Sequence, residues 1–288
     1  MNLKPVAKIE GGQDGAVWKD YLLRFDHEGH CCVYHMKEIE ESEGGVVQPM
    51  AAFCLDMAER LKPHCNSVMF GNEYYSPEDE FPLLYTNIYN SYAGGDDPMK
   101  GVCTVYRIQR NGAEFSSTLV QIVVIGFVED CRYWKSWEQK EDIRPFGNFT
   151  IDREEGIYYA FTMRDKSKTT RYFAFDLPKL IDGVMDGTFH VRRVTLNIGD
   201  IKTYFDCQYH HFVQGACFRG GKIYSLEGFT GSGENPPALR VIDVKSKQQV
   251  FFADLAKLGG IIEPEMIDFK EDVCYYSDNY GSLFIIDF

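Results

Sequence analysis

No stretch of this chain approaches the roughly 20 consecutive apolar residues that a membrane-spanning helix needs. Its opening, MNLKPVAKIEGG, lacks the apolar centre of a secretory signal. Basic blocks are absent as well: 30 Lys and Arg face 43 Asp and Glu, a formal net charge of −13. An acidic surface repels phosphate backbones, which argues against nucleic-acid and anionic-membrane partners. Nine cysteines is an odd number, and the adjacent Cys31 and Cys32 fit neither a disulfide framework nor a CxxC metal motif. Most read as buried thiols inside apolar runs, such as Cys54, Cys103, Cys217 and Cys274. A reducing, cytoplasmic setting follows, although an extracellular chain whose signal had been removed would read the same. Nucleophile and metal motifs are missing too: there is no GxSxG, HExxH or EF-hand spacing. GFTGSGENPP (228–237) resembles a phosphate loop only superficially, because no Lys-Ser/Thr follows and Pro-Pro ends it.

What is present is aromatic and repetitive. The chain carries 21 Phe, 18 Tyr and 3 Trp, spread over short Tyr/Phe/Val/Ile runs punctuated by Gly, the composition of an all-β protein. At 288 residues it buries a sizeable core without disulfides or metal. From Gln214 the chain reads QGACF, an RGG turn, KIYSLEG, a polar loop, ALRVIDV, a KSK turn and QQVFFADL. That is the grammar of one four-stranded propeller blade. Three further units follow it. One is DGAVW, YLLRFDHEG, HCCVYHM and MAAFCLDMA; the next is NSVMFG, PLLYTNIYN, GVCTVYRIQ and STLVQIVVIGF. The third is NFTID, IYYAFTM, TRYFAFDLP and HVRRVTLNI. The last unit has only EMIDF, VCYYSDN and GSLFIIDF, and the alternating KPVAKIE (4–10) supplies its missing strand. Such pairing closes a ring and removes two sheet edges at once. The expected architecture is therefore a single all-β domain, a five-bladed β-propeller spanning residues 1–288. A sixth blade would have to come from the long insertions at 72–81 and 128–145. FCLDMAERL (53–61) and FFADLAKL (251–258) match as outer strands, while Met50, Phe53, Met57 and Leu61 also have helical spacing.

Superposing the inner strands puts Asp14, Asn66, Asn148, Gln214 and Glu265 at one register, all of them carboxylates or amides. In a propeller these positions ring one mouth of the axial channel. Two residues earlier stand Gly12, His64, Phe146, Phe212 and Glu263, adding an imidazole, a carboxylate and two aromatic walls, with His210 and His211 just upstream. A mixed polar and aromatic constellation suits a small polar ligand or a glycan. The same positions also suit channel water and backbone capping, which would make the ring a scaffold for protein partners held by the loops. Two chemical alternatives remain. Asp14, Glu263 and Glu265 offer carboxyls for glycoside hydrolysis or lyase chemistry. His64 with Asp14, Glu263 and Glu265 offers a mixed nitrogen and oxygen set for Ca²⁺ or another divalent cation.

FVQGACFRGGKIYSLEGFTGSGENPPALRVIDVKSK resembles the repeat of the glutaminyl cyclotransferases of plants and bacteria, with its aromatic-x-Gln-Gly start, Gly-rich loop and Leu-Arg-x-x-Asp strand. It is similar as well to the units of teichoic-acid-biosynthesis-C-like and phage receptor-binding propellers. The resemblance covers one blade, with weaker support from IEPEMIDF, and implies five blades. The cyclotransferase Glu-Ser-Thr-Gly run has no counterpart: Glu227 directly precedes Gly228 in SLEG. What the resemblance implies thus concerns the fold more than glutamine cyclisation.

Overall fold

The computed structural model of the chain describes residues 1–88, 101–126, 148–164, 169–208, 213–229, 236–260 and 262–288. The first strand, β1 (Asn2–Lys8), is followed by a blade of β2 (Gly15–Trp18), β3 (Tyr21–Phe25), β4 (His30–His35) and β5 (Ala51–Cys54). Two short helices, α1 (Met36–Glu41) and α2 (Ala58–Leu61), decorate it. The second blade holds β6 (Val68–Phe70), β7 (Leu84–Ile88), β8 (Val102–Asn111) and β9 (Glu114–Ile125). Then come β10 (Asn148–Asp152), β11 (Ile157–Arg164), β12 (Thr169–Asp176), β13 (Val184–Met185), β14 (Arg192–Leu196) and β15 (Thr203–Gln208). The fourth blade is β16 (Val213–Arg219), β17 (Lys222–Glu227), β18 (Ala238–Asp243) and β19 (Gln248–Asp254); the chain ends with β20 (Pro264–Lys270), β21 (Val273–Asp278) and β22 (Ser282–Asp287).

These strands make five sheets, and the protein is an all-β five-bladed propeller. Its first strands β2, β6, β10, β16 and β20 contact one another in a closed circle around the axis. Closure is as the sequence implies: β1 lies antiparallel to β22, from Asn2 opposite Asp287 to Lys8 opposite Ser282. β1 begins two residues earlier than the alternation in KPVAKIE suggests. Between the first and last blades, Val6 and Ile9 pack with Leu22, Tyr34, Met266 and Leu283 in one buried cluster. The blade-four hairpin shows how local chemistry fixes an element. Arg219 pairs with Lys222 across a two-residue turn, and Gly220 and Gly221 take φ of +54° and +73°, the left-handed pair such turns demand. Among the described residues no helix is long and apolar enough to cross a membrane.

Two local expectations are corrected. HVRRVTLNI is not the outer strand of blade three, a role taken by β15, which pairs with β12 from Thr169 opposite Gln208 to Ala174 opposite Thr203. Its residues form β14, which crosses to the second blade and lies parallel to β9, Arg192 opposite Gln121 and Leu196 opposite Ile125. The free edge of the long strand β9 is thereby covered, making a sheet of six strands. Residues 50–61 are neither all strand nor all helix: β5 runs into α2, as β19 runs into a single 3₁₀ turn at Leu255–Leu258. Both segments pass from strand to helical turn within a few residues, so the likeness between them and the helical spacing each describe part of the segment.

Candidate functional site

Asp14 and Asn66 precede β2 and β6, Asn148 opens β10, and Gln214 and Glu265 are second in β16 and β20. All five side chains are buried. Several tie one blade to the next. Asp14 Oδ2 accepts the Val68 N–H at 2.8 Å, and Asn148 Nδ2 donates to the carbonyls of Val213 and Gln214 at 3.2 and 3.4 Å. Gln214 Nε2 donates to Glu263 Oε1 at 2.6 Å and to the Gly228 carbonyl at 3.1 Å. Gln13 Nε2 lies 3.5 Å from Glu265 Oε1, and the Asn87 amide donates to Asn66 Oδ1.

Beside Asp14 and Glu265 lies a residue that the register does not contain. Arg24, fourth of the five residues of β3, is 2% exposed and donates from Nη2 to the carbonyls of Gly12 and Asp278 at 2.9 Å each. Its Nε and Nη1 have no hydrogen-bond partner among the described residues, and neither do Asp14 Oδ1, Glu265 Oε2 and Asn279 Oδ1. Burial pulls the Arg24 pKa down, opposed by the charges of Glu265, Asp14 and Asp278. Burial pushes the Asp14 carboxyl well above its usual range, against the Val68 and Gly15 N–H groups and Arg24. Glu265 is raised likewise, by burial first and then by Glu263. Glu263, only partly buried, is raised by burial while its bond from Gln214 acts the other way. The arrangement is a two-tier mouth. Gln13, Glu263 and Asn279 are partly exposed above, and Asp14, Arg24 and Glu265 are buried below. The only sequence signal for Arg24 was a charged residue amid the apolar alternation of YLLRF.

Two glycines let neighbouring atoms pack closely beside these groups. A Cβ on Gly12 would sit 3.3 Å from Arg24 Nε, and one on Gly215 would sit 2.5 Å from the Glu265 carbonyl oxygen and 3.9 Å from Asp14 Cγ. Gly215→Ala is therefore expected to lower the denaturation midpoint by an amount equivalent to about 1–3 kcal/mol, because a backbone oxygen must move. An unchanged midpoint in a urea titration would contradict this geometry.

Other candidates part company with the ring. His64 is partly buried, its pKa lowered to about 4 by burial, with His27 as its electrostatic neighbour rather than the carboxylates. Among the described residues no three His, Cys, Asp or Glu side chains are grouped to hold a metal ion, so the set of His64, Asp14, Glu263 and Glu265 is not assembled. Phe146, Phe212, His210 and His211 lie outside the described residues. Glu227 is committed to Arg240, bonded at 2.6 Å from Nε to Oε1 and 3.1 Å from Nη2 to Oε2 in a buried bidentate pair.

The opposite end of the axis carries a cavity of about 830 Å³. It is bordered by the turns that leave the inner strands of blades one, three, four and five and by the segment after β6. The insertion at 72–81 contributes Asn72 and Tyr74 to its wall; the other, 128–145, lies outside the described residues.

The chain matches no protein family model and no curated protein. Solved structures are similar in fold. An exo-β-1,3-galactanase from Phanerochaete chrysosporium, determined with β-1,3-galactotriose, aligns with a TM-score of 0.51 at 9% identity, over 98% of this chain and 63% of that one. The computationally designed protein Ika8 aligns at 0.37 with 10% identity, over 99% of this chain and 100% of its own. At such identities the galactanase likeness is one of fold, and the chain spans less than two thirds of that enzyme's length.

Proposed function

We propose that the ring mouth recognises the end of a neutral, hydroxyl-rich ligand, a glycan above all. One observation carries this reading: two guanidinium donors of Arg24 and the acceptors Asp14 Oδ1, Glu265 Oε2 and Asn279 Oδ1 lie buried without partners among the described residues. Buried polar groups are satisfied by something. A hydroxyl, which donates and accepts at once, answers both signs where a cation or an anion answers one. The galactanase that shares the fold was determined with an oligosaccharide. Calorimetric titration with a panel of neutral oligosaccharides, β-1,3-galactotriose included, tests it. Gln214→Ala and Glu263→Gln are expected to weaken binding about tenfold or more, the cost of losing a hydrogen bond to a charged group. Absence of binding across the panel, or unchanged affinity in both variants, would rule the reading out.

Glycoside hydrolysis is a second reading, favoured by the placement of Glu263. It is the accessible carboxyl of the group and the least strongly raised, which suits the ionised member of a pair, while Asp14 and Glu265, held well above the usual range by burial, stand below it as candidate proton donors. Reducing-sugar release by the wild type and its loss in folded Glu263→Gln would establish this, and binding without release would leave recognition alone.

A further inference from the structure

The inner strands carry a second register. Five residues beyond Asp14, Asn66, Asn148, Gln214 and Glu265 stand Lys19, Gly71, Arg153, Arg219 and Lys270. Four blades thus place one cation each at the far end of the axis, and all four line the cavity of about 830 Å³. The fifth is barred from doing so, since a Cβ on Gly71 would lie 2.6 Å from the ring of buried Tyr85. In a chain of net charge −13, four cations meet at one mouth, beside Asp20, Asp152, Glu154 and Glu271 of the same lining.

Acidic residues share the cavity in a different layer. Asp20, Glu154 and Glu271 follow one position later and are exposed, whereas Arg153, Arg219 and Lys270 are partly buried. Asp152 turns its Oδ1 to the N–H groups of Glu154 and Glu155, at 3.0 and 3.2 Å. Beneath the cations, the buried Asp268 is occupied by the Val17 and Phe269 N–H groups at 2.8 Å each. Arg219 pairs with Asp272 at 3.1 Å and Lys270 with Glu40 at 2.6 Å. Lys19 and Arg153 have no ion pair among the described residues; instead they lie 5.8 and 5.5 Å from the Trp18 ring centroid. Trp18 itself is anchored, its indole N–H donating to the Glu80 carbonyl at 3.1 Å.

We infer that this mouth is an anion site, separate from the ring mouth, which takes an organic polyanion through Lys19, Arg153, Arg219 and Lys270. The ligand class is a short oligomer or compound bearing several phosphates or carboxylates. Cations spaced around a circle meet separated charges better than a single one, and the cavity falls within the range of about 300–1,000 Å³ typical of ligand sites. A low-dielectric concave wall also focuses the field of Lys19 and Arg153, the two without an ion pair among the described residues.

Calorimetric titration of the full chain at low salt with tripolyphosphate, with trigalacturonate and with a neutral trisaccharide distinguishes the sources. Both or one of the anions is expected to bind, and the one that binds identifies phosphate or carboxylate as the preferred group. Arg153→Gln and Lys19→Gln, both at turn positions, are each expected to weaken that binding about tenfold, the scale of one charge-assisted hydrogen bond. Salt of about 0.5 M, where screening acts over a few ångströms, is expected to abolish most of it. Unaltered thermal melts would show both variants folded. No binding by either anion, or binding indifferent to both substitutions, overturns the inference.

Discussion

A chain lacking residues 1–9 is expected to lose cooperative folding. β1 is the fourth strand of the last blade, and without it β22 exposes its whole ladder edge, the kind of edge that recruits other chains. Leu3, Val6 and Ile9 are all buried. At about 1.5–3 kcal/mol for each such side chain, the lost burial is of the same order as the 5–15 kcal/mol that typically separates folded from unfolded states. Omitting the ordering cost of nine residues recovers part of this, but the faces that β1 covers on the first and last blades stay uncovered. Circular dichroism melts should show no sigmoidal transition, with aggregation at micromolar concentration. A synthetic peptide of residues 1–10 added in trans should restore the transition. Ile9→Ala, which keeps the strand and removes one buried side chain, should cost about 2–5 kcal/mol. A truncated chain that still melted cooperatively near the wild-type temperature would show that the ring is held by the other blade contacts.

How much of this was legible beforehand follows from what sequence patterns record. Strand alternation and turn chemistry are local, so the RGG hairpin and the closure of EMIDF, VCYYSDN and GSLFIIDF by an N-terminal strand could be read directly. The destination of β14 could not. Arg192–Leu196 has good strand character, but nothing in those five residues states that their partner is Gln121–Ile125 rather than Thr169–Ala174. The polar ring was legible because one register repeated five times. The cation beside it was not, because Arg24 belongs to a second strand and occurs once. The basic ring at the opposite mouth repeats four times, yet its members sit at strand ends and turns, where Lys and Arg excite no notice. Only the structure shows that these turns surround one cavity.

Arg24→Met is expected to destabilise the protein by about 3–5 kcal/mol, the cost of removing one partner from a buried ionic group. The neighbours left behind are Asp14 and Glu265, each accessible to 2% or less, with two oxygens already lacking hydrogen bonds. The pH dependence gives the prediction its sign. Both carboxyls have folded-state pKa values raised above those of the unfolded chain, so the folded state binds the extra protons. Their contribution is fully present below the ordinary carboxylate pKa and fades as pH rises through the raised values. Arg24 lowers both pKa values in the wild type, so its removal raises them further and widens that window. The variant's deficit should be smallest near pH 4 and grow toward pH 8, measured as urea midpoints across the range. Adding Asp14→Asn and Glu265→Gln to Arg24→Met should return much of the loss at pH 8, since the three groups act as one unit and their effects are not additive. A deficit that is constant with pH, or a triple variant no more stable than Arg24→Met, would show that Arg24 acts through packing and its carbonyl bonds to Gly12 and Asp278 alone. In that case Arg24 would brace the mouth without charging it, and the acceptors Asp14 Oδ1, Glu265 Oε2 and Asn279 Oδ1 would be what remains for a ligand to meet.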